Sequence, residues 1–174
     1  MNQLPVKPSQ GPSGSAFLSI YLNDHLAGAT SGVELARRAA DAEQGTETGE
    51  QLKDLASEIT NDRTALIRIM RALGVTPRHH FSALGWIAER AGRLKANGRL
   101  IHRSPLSTLI GIETLRLGVL GKQQLWNALA ATWADDPRID TDRLAELERR
   151  AEQQATDLEQ LRLLAATVLV PTDD

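Results

Sequence analysis

The stretch LSTLIGIETLRLGVLGKQQLWNALAATWA, residues 106–134, decides the architecture of this chain. Wound at ~100° per residue, it presents two apolar faces rather than one. Leu106, Leu109, Ile110, Leu117 and Leu120 share the first, while Ile112, Leu115, Val119, Trp126, Ala130 and Trp133 share the second. Ser104 stands where an N-cap is wanted and Pro105 suits the first turn, so the start is marked. A helix of this length spans ~43 Å, and covering it takes other helices of similar reach. One carboxylate, Glu113, interrupts the first apolar face, where it needs a cation or a proton.

The pattern on either side supplies that cover. After a short turn containing Pro137, the residues Leu144, Leu147, Ala151, Leu158, Leu161, Ala165 and Val168 recur at three-four spacing, which predicts a helix from about Thr141 to Leu169 ended by Pro171. Upstream, Leu52, Leu55, Ile59, Leu66, Met70 and Leu73 form the stripe of another helix. Thr48 and Gln51 resemble its capping box and Gly74 its stop. Further upstream, Leu18, Leu22, Leu26, Ala29, Val33, Ala36 and Ala40 predict a first helix to about Asp41. Its segment 27–32 holds only Ala, Gly, Thr and Ser, which lets a neighbouring helix approach closely. A shorter helix, Ser82–Ala96, lies between Gly74 and Pro105 and is stopped by Asn97-Gly98.

No segment alternates as a strand does, and no repeat recurs, so the expectation is an all-α, four-helix bundle. Short connections make the first and second long helices one antiparallel hairpin and the last two another, with a long crossover between the hairpins. Residues 1–15, with three of the seven prolines, read as a flexible tail, 16–170 as one domain and 171–174 as a second tail.

Composition narrows the partners. A formal charge of −2 and a pI near 6.1 give no overall attraction to nucleic acid or to an anionic membrane. Arg90, Arg93, Lys95, Arg99 and Arg103 form a local basic run, but only 3% of the residues are aromatic and no nucleic-acid motif surrounds them. No apolar run reaches the ~20 residues of a membrane span. Without cysteine there are no disulfides or thiolate metal sites, and a cytoplasmic location is expected. The adjacent His79 and His80 read as exposed loop, too few to enclose a metal.

Two hairpins of long helices joined by a long crossover is the connectivity of ferritin-like bundles. Tyr-Leu-Asn-Asp-His at 21–25, Gly-Arg-Leu-Lys at 92–95 and Ser-Pro-Leu-Ser at 104–107 resemble ferritin-like proteins of high-GC bacteria. That resemblance implies a bundle able to carry two iron or manganese ions, held by one Glu on each of two helices and Glu-x-x-His on each of the others. The sequence departs from the pattern. Glu113 suits one single-Glu place, but Glu34 lies opposite its helix's apolar stripe, Glu58 is followed by Asn61 at the third residue, and Glu-x-x-His occurs nowhere. The expectation is therefore a bundle without the di-metal site and without a cofactor, acting as a non-enzymatic binding or scaffolding module for a protein or small molecule. The alternative is an iron or manganese protein using His25, Asp62 and Glu113.

Four polar residues stand on or near the long stripes: His25, Asp62, Glu113 and Gln154. Counting along the helices puts His25 level with Asp62, a pair that would serve as acid and base or specify register. The same counting puts Glu113 near Arg162, with Arg116 one turn away as a substitute, and Gln154 near Gln124; a Glu113–Arg162 bridge is expected. The second apolar face of 106–134 exceeds what one bundle core covers. A two-fold homodimer is expected there, with Trp126, Leu129 and Trp133 at the contact.

Overall fold

The computed structural model describes residues 14–78 and 105–170. Among these residues the chain is all-helical, with four long helices and no strand: α1 (Gly14–Ala42), α2 (Glu47–Ala72), α3 (Pro105–Trp133) and α4 (Thr141–Ala165). A 3-10 turn over Ala166–Leu169 follows α4 directly, so the apolar pattern to Leu169 ends in a tighter winding rather than in α-helix. α1 begins at Gly14, inside the stretch 1–15 read as a tail, of which residues 1–13 lie outside the described residues. The predicted helix over 82–96, the basic run from Arg90 to Arg103, the His79-His80 pair and the Ser104 cap lie outside the described residues.

Local chemistry explains the ends of α2. Thr46, not Thr48, is the N-cap: its Oγ1 accepts the Gly49 N–H at 3.0 Å and donates to the Glu43 carbonyl at 2.7 Å. The expected capping-box residues, Thr48 and Gln51, lie inside the helix at its second and fifth positions. Gly49 is required there, because a Cβ would land on the Glu43 carbonyl. Gly45 and Gly74 both adopt left-handed φ, 85° and 73°, where a side chain would be strained. Asp140 caps α4 by accepting the Arg143 N–H at 2.9 Å.

α1 packs along α2, α3 along α4, and α1 against α3, whereas α2 and α4 meet only at close points. Thr108 of α3 donates to the Glu43 carboxylate at 2.7 Å, placing the start of α3 beside the end of α1. Asn23 of α1 accepts the Arg78 N–H at 2.7 Å, placing the chain beyond α2 beside the first half of α1.

The core is one cluster. Leu22, Leu26, Leu52, Leu66, Met70, Ile112, Leu125, Trp126, Leu144, Leu147 and Leu158 are all buried to within 2% of complete. The second apolar face of α3 is thus the core face, carrying Ile112, Leu115, Val119 and Trp126. The first face is divided: Leu109 is buried and Leu120 packs against the core, whereas Leu117 is 50% and Leu106 42% exposed. This corrects the expected interface: Trp126 and Leu129 are buried inside the protomer, at 1% and 2% exposure, and cannot reach a partner. Trp133 is half-buried against the core, with the Arg138 guanidinium 5.8 Å from its ring centre. Among the described residues no helix is long and apolar enough to cross a membrane.

Candidate functional site

A cavity opens where α1 and α3 pass each other. α1 contributes Ala27, Gly28, Ala29, Ser31 and Gly32; α3 contributes Gly118 and Gly121 among larger residues. The segment 27–32 meets α2 closely, with Gly32 beside Ile59 and Thr30 bonded to Arg63, but toward α3 it leaves open space. A Cβ built at Gly28, Gly118 or Gly121 meets nothing within 4 Å. The missing side chains leave a cleft of about 570 Å³, within the size range of small-molecule sites. Its deep wall is Ile59, Asp62 and Leu66 from α2 with Val119, Lys122 and Trp126 from α3.

The polar part of that wall belongs to a layer that crosses the bundle. Asp62 of α2 is 1% exposed and receives the Lys122 ammonium of α3 at 2.5 Å and the Arg150 Nε of α4 at 2.7 Å. Gln154 of α4, fully buried, accepts from Lys122 through Oε1. Its amide nitrogen donates to Glu58 at 2.8 Å and to Asp62 at 3.3 Å. Two carboxylates, Glu58 and Asp62, therefore face two cations, Lys122 and Arg150. Burial pulls the Lys122 ammonium below its ordinary range, and the adjacent Asp62 pulls it back upward.

Around the rim, Arg63 of α2 donates to Thr30 Oγ1 of α1 at 2.9 Å, tying two walls together. His25 lines the cleft and stacks edge-on to Tyr21, ring centres 4.6 Å apart. Burial lowers its imidazole pKa, against the opposing pull of Asp24.

The sequence-predicted residues fall into two places. His25 and Asp62 both line the cleft, but the expected His–Asp pair is replaced: Asp62 is taken by Lys122, Arg150 and Gln154, while His25 sits with Tyr21. Glu113 is on a different surface. Its side chain is 46% exposed, so it is no buried carboxylate, and it lies 3.8 Å from Arg162 as expected. Arg162 gives its shorter bonds to Glu159, at 2.7 and 2.9 Å. Arg116 also turns to Glu159, at 3.1 Å, rather than to Glu113. Gln154 does not meet Gln124, which is exposed.

His25, Asp62 and Glu113 are consequently not one ligand set. Among the described residues, no group of three or more His, Asp or Glu side chains is arranged to hold a metal. The donor chemistry gives the reason: the Asp62 oxygens are already filled by an ammonium and a guanidinium, and no imidazole stands beside them. Lys122 and Arg150, which complete the layer, were missed from sequence. No protein-family model, curated protein or solved structure matches the chain.

Proposed function

We propose that the chain is a ferritin-like helical bundle in which an ion-pair layer stands in place of the superfamily's metal pair, and that it works as a non-enzymatic, cytoplasmic binding module. Its ligand is a small apolar molecule held in the cleft between α1 and α3. The observation that carries this reading is the set of facing glycines, Gly28, Gly118 and Gly121, whose absent side chains leave about 570 Å³ open beside the core. Glycine inside a helix costs about 0.5–1 kcal/mol relative to alanine, so three such positions around one cavity make sense where room is needed.

The topology follows from where the chain leaves and re-enters. Arg78 is held beside Asn23, and Thr108 beside Glu43. These two contacts support reading the link between α2 and α3 as a long crossover of the kind found in ferritin-like folds. Two cations at Asp62 supply the positive charge that metal ions would otherwise bring to carboxylates in a bundle core. Self-association belongs to this reading as well. With Trp126 and Leu129 inside, its contact moves to the outer face of α1, where Phe17 and Ile20 are 58% and 53% exposed.

A fluorescence titration with N-phenyl-1-naphthylamine, a neutral apolar probe, tests the module. Saturable one-to-one binding is expected for the wild type. It is lost in Gly28→Leu/Gly118→Leu, which fills the cleft without a clash at either Cβ. Undiminished binding by that variant would refute the cleft as the site.

A further inference from the structure

The cleft on which the binding reading rests has a histidine in its wall, His25, the one histidine among the described residues. It stands four and seven residues before Ala29 and Gly32, so helical winding puts all three on one face of α1, and all three line the cleft. The imidazole is half-buried, with its ring edge-on to Tyr21. Its nitrogens take no hydrogen bond from the described residues, yet they are not shut away from water as Trp126 Nε1 and Asn127 Oδ1 are. Solvent alone hydrates them.

The other charges around His25 are already committed. On α1 it meets Tyr21 and the exposed Asp24. From α2, Asp62 and Arg63 line the same cleft, Asp62 held by Lys122 and Arg150, and Arg63 bonded to Thr30. From α3 comes Lys122, given to Asp62 and Gln154. Among the described residues α4 does not pack on α1, and its Arg150 joins this wall through Asp62. A protonated His25 therefore adds a positive charge that only the solvated Asp24 is free to answer.

Burial already draws the imidazole below its ordinary value, against the upward pull of Asp24. An apolar molecule entering the cleft displaces the water that hydrates the ring, and an imidazolium loses far more by this than a neutral imidazole does. The ligand prefers the neutral ring, and by linkage the proton weakens the ligand by the same factor as the ligand weakens the proton. We infer that His25 makes the cleft release its ligand in acid: the neutral ring admits the apolar molecule and the protonated ring expels it. Affinity is full above the titration of His25 and falls as pH drops through it.

The test is the affinity for N-phenyl-1-naphthylamine, a diarylamine that stays neutral, between about pH 8 and about pH 5, the range in which histidine changes charge. The wild type should lose about tenfold across it, which is what a tenfold lower proton affinity of the covered imidazole gives. In His25→Gln the ratio of the affinities at the two ends should stay near one, whatever their level. Circular dichroism at each pH confirms that the chain stays folded. Should His25→Gln or the acid end fail that check, calorimetric titration of the wild type near pH 6 in two buffers of different ionisation heat decides, and binding should release protons. A flat wild-type affinity, the same loss in His25→Gln, or binding with no proton release would overturn the inference while leaving the binding module standing. Failure of the probe to bind at any pH removes both.

Discussion

Asp62 on α2 accepts the Lys122 ammonium of α3 at 2.5 Å, although the two helices share no direct backbone packing. The bond spans the interior, and Arg150 and Gln154 of α4 close it from the third side. With Asp62 1% and Lys122 11% exposed, neither charge is effectively solvated. Lys122 needs the carboxylate, which makes the layer a register device: sliding α3 by one turn would strand the ammonium, while Arg150 and Gln154 still hold Asp62.

Removing the shared carboxylate should therefore hurt most. Asp62→Ala leaves Lys122 with the neutral Gln154 and Arg150 with only a 4.0 Å contact to Glu146, and should lower stability by about 3–5 kcal/mol. Lys122→Met leaves Asp62 with Arg150 and Gln154, and should cost about 1–3 kcal/mol. Asp62→Leu/Lys122→Met should recover much of the loss. Denaturant melts of the three variants check the order, and a larger loss for Lys122→Met than for Asp62→Ala would contradict it.

Glycines should divide by surroundings rather than by helix position. Gly49→Ala drives its Cβ into the Glu43 carbonyl and should destabilise by about 1–3 kcal/mol through a forced shift of the turn. Gly118→Ala meets open space and should stabilise by about 0.5–1 kcal/mol. Thermal melts read both signs.

Two groups lining the cleft contribute to the pH dependence. Burial holds His25 below 6.5 in the folded chain, so the unfolded chain binds more protons in the window just below that value. Stability should fall as pH drops through it, and His25→Gln should flatten that slope. Lys122 is likewise depressed below 10.5, so the unfolded chain again binds more protons just under that value, and stability should rise with pH there. Urea midpoints of wild type and His25→Gln across the acid window check the first sign.

The Glu113–Arg162 pair should contribute little. At 3.8 Å and with Glu113 46% exposed, it is a surface pair, and Glu113→Gln should change stability by under about 1 kcal/mol. A loss of several kcal/mol in a thermal melt would show the carboxylate to be held more tightly.

Much of the fold was legible because three-four apolar spacing reports helices directly, and Pro105, Gly74 and Pro137 punctuate them. Which face of α3 is the core was harder, since both faces are apolar and periodicity does not say which one meets neighbours. Leu117 looks as buried as Val119 until α1 is placed. Asp62 and Gln154 were readable as polar residues on apolar stripes. Lys122 was passed over as part of a polar run, Lys-Gln-Gln, yet it occupies the stripe Ile112, Leu115, Val119, Lys122, Trp126, and a cation at that spacing calls for a buried acid. The cleft was not readable: small residues on one helix mean close packing or a gap, depending on what the facing helix carries. Here Gly118 and Gly121 made it a gap.

The central claim is that a ligand enters between α1 and α3 and reaches Trp126. The chain has three tryptophans, so its indole N–H region in a nitrogen-15 correlation spectrum holds three signals, assignable by Trp→Phe substitution. Titration with N-phenyl-1-naphthylamine should move the signal of Trp126, which lines the cleft, in a saturable manner and leave that of Trp133, which does not, in place. A Trp126 signal that stays fixed while the probe saturates the protein, or movement at Trp133 alone, would contradict the account.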